Sequence, residues 1–316
     1  MGINQTVGKY NRRNQKVNQM TATVKIAGAP ISWGVCEVPG WGHQMTPERV
    51  LKEMAELGLG ATEFGPLGFL PVEPADRAKV LAEHGMEAVG GFFPIIMHQE
   101  DFDPLPAVLT ELESYSASGA KTLVLSAETG MEGYDTKRPE LDDHGWNIFF
   151  ANLERIKEAA ASRGVTAVLH PHVGTMVETE ADVKKVLDGS SIMFCLDTGH
   201  MIIGGTDPVK FAEDHSDRVA HSHLKDVNLA IADRVQSGEI TYYQGVVEGM
   251  YVPLGTGDVD VRSIVRSLIK SGYQGWFALE QDNVITAEPG DTDGPFADAK
   301  ASVEFIKAVA AELAAE

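Results

Sequence analysis

The side chains best suited to chemistry in this chain follow two short apolar runs. Asp197 ends the first run, and His200 comes three residues later. The second run contains His221 and His223 and leads directly into Lys225. Carboxylate and imidazole groups are common ligands of divalent cations. The pattern of strand, ligand, helix, strand and ligand therefore predicts a metal site at one rim of a barrel.

The elements that must position these residues alternate regularly along the chain. Eight short apolar runs of strand character alternate with segments of helical length; the runs are 24–33, 61–64, 87–96, 121–127, 165–169, 192–196, 219–224 and 275–280. This alternation predicts an α/β fold, a single-domain (β/α)8 TIM barrel that spans residues 23–316. A doubly wound sheet also alternates, but no glycine-rich dinucleotide fingerprint follows the first run.

The composition limits the partners and the compartment. The formal net charge is −20, from 46 acidic against 26 basic residues, which disfavours nucleic acid and anionic membranes as partners. No apolar run approaches the roughly 18 residues that a membrane-spanning helix needs. The two cysteines predict a reducing compartment rather than a disulfide framework. We expect a cytoplasmic protein whose residues 1–22 form a polar, disordered N-terminal extension.

In a barrel of this type the active-site groups come from the carboxyl ends of the strands. Six of the ten histidines fall at or near these ends, which scattered surface histidines would not do. Asp197, His223 and Glu280 end three consecutive predicted strands, so we expect them to converge on one divalent cation. Any one of them alone would more often be a helix cap or a solvated side chain. His221 is expected to pack one layer deeper than His223.

Five segments carry a resemblance to a known family. The segments DTGH at 197–200 and HSHLKD at 221–226 resemble the xylose-isomerase-like TIM-barrel superfamily of sugar isomerases, epimerases and dehydratases. The segments GAPISW at 28–33, TEFGPLGFLP at 62–71 and HPHVGT at 170–175 are similar to the inosose dehydratases within it. The first two motifs occur throughout the superfamily, whereas the last two are much more specific. The resemblance implies a lyase of inositol catabolism or of other carbohydrate metabolism.

The resemblance also implies a fourth metal ligand after the fifth predicted strand. The superfamily usually has a glutamate there, but this chain has His170. Either His170 binds the metal directly or Glu178 reaches it from the following loop. The implied ion is Mn²⁺ or Co²⁺, with Mg²⁺ or Zn²⁺ as alternatives. Residues 34–42 lack the acidic run associated with inosose dehydratases, so the identity of the sugar stays open.

The implied reaction removes water from a keto-cyclitol or a 3-keto sugar, with the metal as Lewis acid. A base removes the proton α to the carbonyl, and an acid protonates the leaving β-hydroxyl. We expect His172 to be that base or acid, and His200 to be the second candidate. Lys225 is expected to stabilise the oxyanion. An isomerase or epimerase is the alternative, because these reactions also begin with proton abstraction next to a carbonyl.

Contacts to this polyhydroxylated keto substrate are expected from four residues near strand ends. Trp33 offers an apolar platform for a sugar ring, although a core position suits a tryptophan nearly as well. Glu63 is expected to hydrogen-bond the substrate or a catalytic histidine, or else to cap the next helix. His98 and Glu178 complete the expected set of substrate-binding residues.

Other classes of function fit parts of the pattern. A non-catalytic sugar-binding or assembly subunit would need no complete ligand set. A DNA-repair relative would need a basic face, which the net charge of −20 opposes. A phosphate-binding isomerase would use a glycine loop, but the glycine-rich segment 253–258 contains Asp258, which favours a neutral substrate. The insertion 228–258 is expected to be a lid or a subunit contact, the latter in a homo-oligomer.

Overall fold

The computed structural model describes residues 24–131 and 133–316. The expected extension over residues 1–22 lies outside the described residues. The described strands are Ile26–Gly28 (β1), Ala61–Thr62 (β2), Glu87–Ala88 (β3), Gly90–Ile95 (β4), Thr122–Ala127 (β5), Thr166–Leu169 (β6), Met193–Asp197 (β7), Val219–Leu224 (β8), Asp226–Val227 (β9), Tyr251–Val252 (β10) and Phe277–Leu279 (β11).

The helices alternate with these strands. They are Pro47–Glu56 (α1), Pro74–Glu83 (α2), Leu105–Ser118 (α3), Asp143–Ala161 (α4), Glu180–Gly189 (α5), Thr198–Ile203 (α6), Pro208–Asp214 (α7), Leu229–Gln236 (α8), Tyr242–Val247 (α9), Val261–Lys270 (α10) and Pro295–Ala315 (α11), with short 3-10 helices at Pro30–Trp33 and Ser216–Arg218. None of the helices in the described part of the chain is long and apolar enough to cross a membrane.

The parallel sheet closes on itself through one interrupted strand. The strand order is β3-β2-β1-β11-β8-β7-β6-β5-β4, and the neighbouring strands are parallel. Only Val89 separates β3 from β4; its N–H donates to Thr62 O (3.0 Å), and its carbonyl accepts from Thr122 N (3.1 Å). The two ends of the sheet therefore belong to one barrel strand. The prediction of a (β/α)8 barrel is confirmed.

In two places the strand stops or is interrupted inside the apolar run that predicts it. The first ends at Gly28, because Pro30 begins a 3-10 helix that takes the chain through Trp33 out of the sheet. The third is interrupted just before Gly90, whose φ is +148°. A Cβ at that position would lie 1.7 Å from Thr122 O, so only glycine fits the close approach of the two strands.

The insertion between β8 and β11 is tied to the barrel by Asp226. This residue is fully buried, and its carboxylate accepts hydrogen bonds from the N–H groups of Gly255 (2.8 Å), Gly257 (2.9 Å) and Val259 (3.1 Å). A Cβ at Gly257 would lie 2.3 Å from Asp226 Oδ1. The amides of the glycine-rich loop are therefore directed at a carboxylate of the protein itself rather than at a phosphate.

Asp226→Ala is expected to lower the free energy of unfolding by about 3 kcal/mol, because the three loop amides and the amide of Val227 lose a charged acceptor. Urea unfolding followed by circular dichroism measures the loss. Asp260 is the matched control, since it is exposed and caps α10 by accepting from Ser263 N. Asp260→Asn should change stability by less than about 0.5 kcal/mol, because Asn and Asp cap helices equally well. Equal losses in the two variants would contradict the anchoring role of Asp226.

Candidate functional site

Three side chains from neighbouring strands meet at the rim of the barrel. Asp197 ends β7 and lies opposite His223 of β8 in the sheet register, and Glu280 follows β11. His223 Nδ1 is 2.8 Å from Glu280 Oε2 and 3.5 Å from Asp197 Oδ2. One ligand atom from each residue lies within 4.8 Å of the other two. Since a divalent metal lies about 2.0–2.2 Å from such donors, one ion can reach all three with little rearrangement.

Asp197 uses its two carboxylate oxygens differently. Oδ1 accepts from the N–H groups of Gly199 (2.9 Å) and His200 (2.7 Å), and so caps α6. Oδ2 faces the cluster and lies 3.2 Å from His170 Nε2. Asp197 is therefore both a helix cap and a candidate ligand, because the capping bonds hold the second oxygen toward the other donors.

Glu63 fixes the orientation of His223. Its Oε1 accepts from His223 Nε2 (2.9 Å) and from His221 Nε2 (2.7 Å). An imidazole that donates through Nε2 carries its lone pair on Nδ1, the nitrogen that faces Asp197 and Glu280. The expected partner of Glu63 is the substrate or a catalytic histidine; its observed partners are a candidate metal ligand and a packed histidine, and Glu63 also lines the cavity. His221 is fully buried and does not line the cavity, as expected of a packed histidine.

A buried ammonium group holds the carboxylates in place. Lys225 Nζ lies 2.8 Å from Glu280 Oε1 and 3.8 Å from Asp197 Oδ2, and it also donates to Asp282 Oδ1. Because Lys225 occupies Oε1, Glu280 presents Oε2 to His223. Lys225 is fully buried and does not line the cavity, so it is placed to orient Glu280 rather than to reach the oxyanion that was expected as its partner.

The acidic groups of the cluster are ionised despite their burial. Burial alone would raise the pKa of Asp197, but Lys225 outweighs it and holds that pKa well below its ordinary value. At Glu280 burial is outweighed by His223 and then Lys225, and the pKa falls to about 2. Burial also opposes a charge on His223, yet contact with Cys195 and the carboxylates of Glu280 and Glu63 raise its pKa well above the ordinary value. Without a metal ion, a proton on His223 Nδ1 supplies positive charge between the carboxylates, and a bound cation would displace that proton and take the Nδ1 lone pair.

The cluster has the unpaired atoms expected of a metal site. His223 Nδ1 is buried close to two carboxylates but makes no aligned hydrogen bond, and buried His170 Nδ1 likewise has no hydrogen-bond partner among the described residues. Buried polar atoms are normally satisfied, so their lack of partners points to a ligand. Two carboxylates and an imidazole are donors that Mn²⁺, Co²⁺ and Zn²⁺ accept. The residues present therefore fit a divalent cation.

The two candidates for a fourth ligand are separated in space. His170 lines the cavity, contacts Asp197 Oδ2, and shares a cluster of potential ligand atoms with Asp197 and His200. Glu178 instead accepts a hydrogen bond from Gly174 N (3.1 Å) within its own loop and does not line the cavity. The geometry therefore does not support Glu178 as a metal ligand or as a substrate contact, because its own loop engages the carboxylate.

His172 and His200 lie in close ring contact beside the cluster, with their planes tilted by 32°. Their ring centroids are 3.6 Å apart, and Tyr134 stacks on His172 with a centroid distance of 5.3 Å. His172 Nδ1 donates to Val173 O (2.7 Å), which leaves Nε2 as the basic nitrogen. Burial, and then the neighbouring His170, lower the pKa of His172 to about 3, so this ring is neutral near pH 7. His172 lines the cavity, whereas His200 does not.

Trp33 and His98 do not reach the cavity. Trp33 is fully buried, and its Nε1 donates to Glu53 Oε2 (2.8 Å) on α1. The 3-10 helix that begins at Pro30 places this side chain in the core, so Trp33 is not a platform for a sugar ring. His98 is buried outside the cavity lining, and burial lowers its pKa. Neither residue is therefore positioned for the substrate contact expected of it.

A cavity of about 330 Å³ opens over the cluster. Three of its lining residues have no role predicted from the sequence: Tyr134, Tyr242 of α9, and Asp282 after β11. Tyr242 OH donates to Asp282 Oδ2 (2.6 Å), so the insertion forms part of the cavity wall. The sequence could have pointed to Asp282, because it is an acidic residue two positions after Glu280. The two tyrosines lie in connecting segments without a periodic pattern, and nothing in the sequence marked them.

Comparison with known proteins identifies the family. Residues 51–309 match the family model described as xylose isomerase-like TIM barrel. The chain belongs to this family. It is 32% identical over 269 residues to the rhizopine catabolism protein MocC of Rhizobium meliloti, with 82% of both chains covered. It is also 32% identical over 298 residues to the inosose dehydratase of Geobacillus kaustophilus, with 89% of this chain and 93% of that chain covered.

A solved structure has a barrel of similar fold. The protein described as IOLI with a binding zinc atom superposes with a TM-score of 0.66, covering 92% of this chain and 99% of that chain. The two sequences are only 12% identical. The likeness therefore concerns the xylose isomerase-like fold alone.

Glu63→Gln is expected to weaken divalent-metal binding about 10- to 100-fold, the usual loss when the hydrogen-bond partner of a ligating histidine is changed. Titration calorimetry with Co²⁺ or Mn²⁺ measures the affinity. Glu178→Gln is the matched control and should bind the ion as the unchanged protein does, since its carboxylate is engaged by Gly174. A Glu63→Gln protein with undiminished affinity, or a weakened Glu178→Gln protein, would refute this arrangement.

Proposed function

We propose that this protein is a divalent-metal-dependent carbon–oxygen lyase, a dehydratase of a keto-cyclitol or a 3-keto sugar. The observation that carries the proposal is the convergence of Asp197, His223 and Glu280 beside a cavity lined by a neutral, oriented His172. Proton abstraction next to a ketone requires a Lewis acid and a base at adjacent positions. The similarity to an inosose dehydratase over most of both chains supports the same class of reaction.

The proposed metal ligands are Asp197 Oδ2, His223 Nδ1 and Glu280 Oε2, with His170 as the fourth. A bound ion would supply Lewis-acid polarisation of the substrate carbonyl. Mn²⁺ or Co²⁺ is the proposed ion, with Mg²⁺ or Zn²⁺ as alternatives, because mixed carboxylate and imidazole donors accept each of them to some degree. The zinc named for the IOLI structure supports a divalent ion in a barrel of this shape.

His172 is the proposed base. Its Nδ1–H is held by Val173 O, so Nε2 carries the lone pair that accepts the α-proton. With its pKa lowered to about 3, the ring stays unprotonated near pH 7 and that lone pair remains free. His200 lies in ring contact with His172 without lining the cavity, so we propose that it positions the imidazole rather than acting as a second acid.

The proposed substrate is uncharged. The glycine-rich loop that could otherwise hold a phosphate directs the amides of Gly255 and Gly257 at Asp226. The cavity is also lined by the carboxylates of Glu37, Glu63, Glu280 and Asp282, which would repel a phosphate. Both observations favour a neutral polyhydroxylated ketone over a sugar phosphate.

An isomerase or epimerase is the second candidate, because it would use the same ligands and the same proton abstraction. It would return the proton to a carbon atom instead of releasing the β-hydroxyl. A non-catalytic sugar-binding subunit is less well supported. Asp197, His223 and Glu280 are all present, and the carboxylates among them are held ionised.

One experiment separates these possibilities. Protein loaded with Mn²⁺ or Co²⁺ is given 2-keto-myo-inositol or a 3-keto-glucose derivative in deuterated water. A dehydratase forms a product lighter by one water that absorbs in the ultraviolet as a conjugated enol. An isomerase or epimerase incorporates deuterium without loss of water. A protein that does neither with either ketone is not the proposed enzyme.

His172→Ala is expected to lower kcat about 10²- to 10⁴-fold, the usual contribution of a positioned base, while the metal stays bound. Rates are measured by the ultraviolet assay and metal content by elemental analysis. His144→Ala is the control, because His144 is an exposed histidine on the outer surface, and its rate should be unchanged. A His172→Ala protein with near-normal kcat would remove this residue from the proposed mechanism.

A further inference from the structure

The cavity has a polar half and an apolar half. The proposed metal ligands and the base come from the ends of β6, β7, β8 and β11, which are neighbours in the barrel. On the opposite arc, β1, β2 and β4 and the loops that follow β1 and β2 contribute an apolar wall, formed by Pro30, Ile31, Val35, Pro66, Leu67 and Pro94. None of these six side chains carries a hydrogen-bonding group.

Polar atoms near the apolar wall are largely occupied. Trp41 Nε1 donates to a backbone carbonyl (2.9 Å), and Tyr242 OH donates to Asp282 Oδ2 (2.6 Å). Both rings line the cavity, and with these polar groups engaged they offer it mainly their ring carbons. Burial raises the pKa of Cys36 to about 12, which keeps this thiol protonated and a weak hydrogen-bonding group. Glu37 and Glu63 are then the charged side chains on this arc of the cavity, and one carboxylate oxygen of Glu63 is already engaged by His221 and His223.

Leu67 is the most exposed part of the apolar wall. Its side chain is 90% accessible to solvent, although it lies in a well-defined turn. Phe69 N donates to Pro66 O (3.0 Å), and Gly65 has a φ of +66° and packs so closely that a Cβ would lie 2.8 Å from Pro30 Cγ. A single exposed leucine is ordinary, but one that continues the apolar wall of a cavity enlarges a surface that a ligand can cover.

We infer that the substrate carries an apolar substituent, an alkyl or aryl ether group, on the side of the ring away from the reacting carbonyl. This inference rests on the proposed function and narrows its substrate class. A fully hydroxylated ring whose far edge reached the apolar wall would press the hydroxyl groups of that edge against side chains that neither donate nor accept, which is unfavourable. An ether or aryl group would bury carbon against carbon there. The wall therefore selects a glycoside or ether of the keto ring over the free polyol.

Binding measurements test this without relying on turnover. Titration calorimetry of the metal-loaded protein compares glucose, methyl β-glucoside and phenyl β-glucoside, none of which is a ketone. Because one extra methylene in an apolar pocket changes recognition about 10-fold or more, phenyl β-glucoside should bind at least about 10-fold more tightly than glucose. Leu67→Ser should reduce that ratio about 3- to 10-fold and leave the affinity for glucose unchanged.

Val72→Ser is the matched control, because Val72 is 64% exposed and does not line the cavity. It should leave the ratio of affinities unchanged. Equal binding of glucose and phenyl β-glucoside, or no measurable binding of the latter, would overturn the inference, as would a Leu67→Ser protein that retains the full ratio. Preference for the aryl compound without dehydration of its 3-keto form would reject the proposed reaction and keep the substrate class. Dehydration of the free ketone without a preference for the aryl compound would keep the proposed reaction and reject the proposed substrate class.

Discussion

One buried ammonium group lies against both carboxylates of the proposed metal site, Asp197 and Glu280. Lys225 is surrounded by Asp197, Glu280 and Asp282. It is the main positive charge that holds the pKa of Asp197 low, and it acts after His223 at Glu280, whereas burial raises the pKa of Asp282 despite the ammonium group. The ammonium group also occupies one oxygen of Glu280 and leaves the other for a ligand. It compensates only part of the negative charge, so a cation is still favoured beside His223. The position that a metal would fill is therefore set by a lysine that never contacts the cavity.

Each residue of the DTGH motif, 197–200, has a structural role close to Lys225. Thr198 Oγ1 donates to the carbonyl of Lys225 (2.5 Å) and accepts from its N–H (2.8 Å), which joins the ends of β7 and β8. A Cβ at Gly199 would lie 2.8 Å from Lys225 Cβ, so glycine permits the close approach of α6. Asp197 caps the helix with one oxygen and faces the cluster with the other. His200 then lies one turn along α6, where its ring contacts that of His172.

The closed barrel and the convergence of three proposed ligands could be predicted from the sequence because both follow from regular repeats. Strands that alternate with helices must place their carboxyl ends together, which brings Asp197 to His223 without knowledge of any loop. The residues whose predicted positions were wrong lie where the backbone departs from the alternation of strands and helices. Trp33 was read as the end of a strand, but a 3-10 helix turns it into the core. Glu178 was assigned to the cavity, but its loop folds back and binds the carboxylate through the amide of Gly174.

Asp282 connects the ligand set to the insertion that covers it. Its Oδ1 accepts from Lys225, and its Oδ2 accepts from Tyr242 OH, which in turn lies 2.9 Å from Tyr251 OH. A displacement of α9 would therefore leave one carboxylate oxygen of Asp282 unpaired and disturb the ammonium group that orients Glu280. Because a buried charge is costly to leave without partners, the packing of the insertion and the orientation of the proposed ligand Glu280 favour each other. The cover of the cavity is thus a part of the site's electrostatics as well as of its shape.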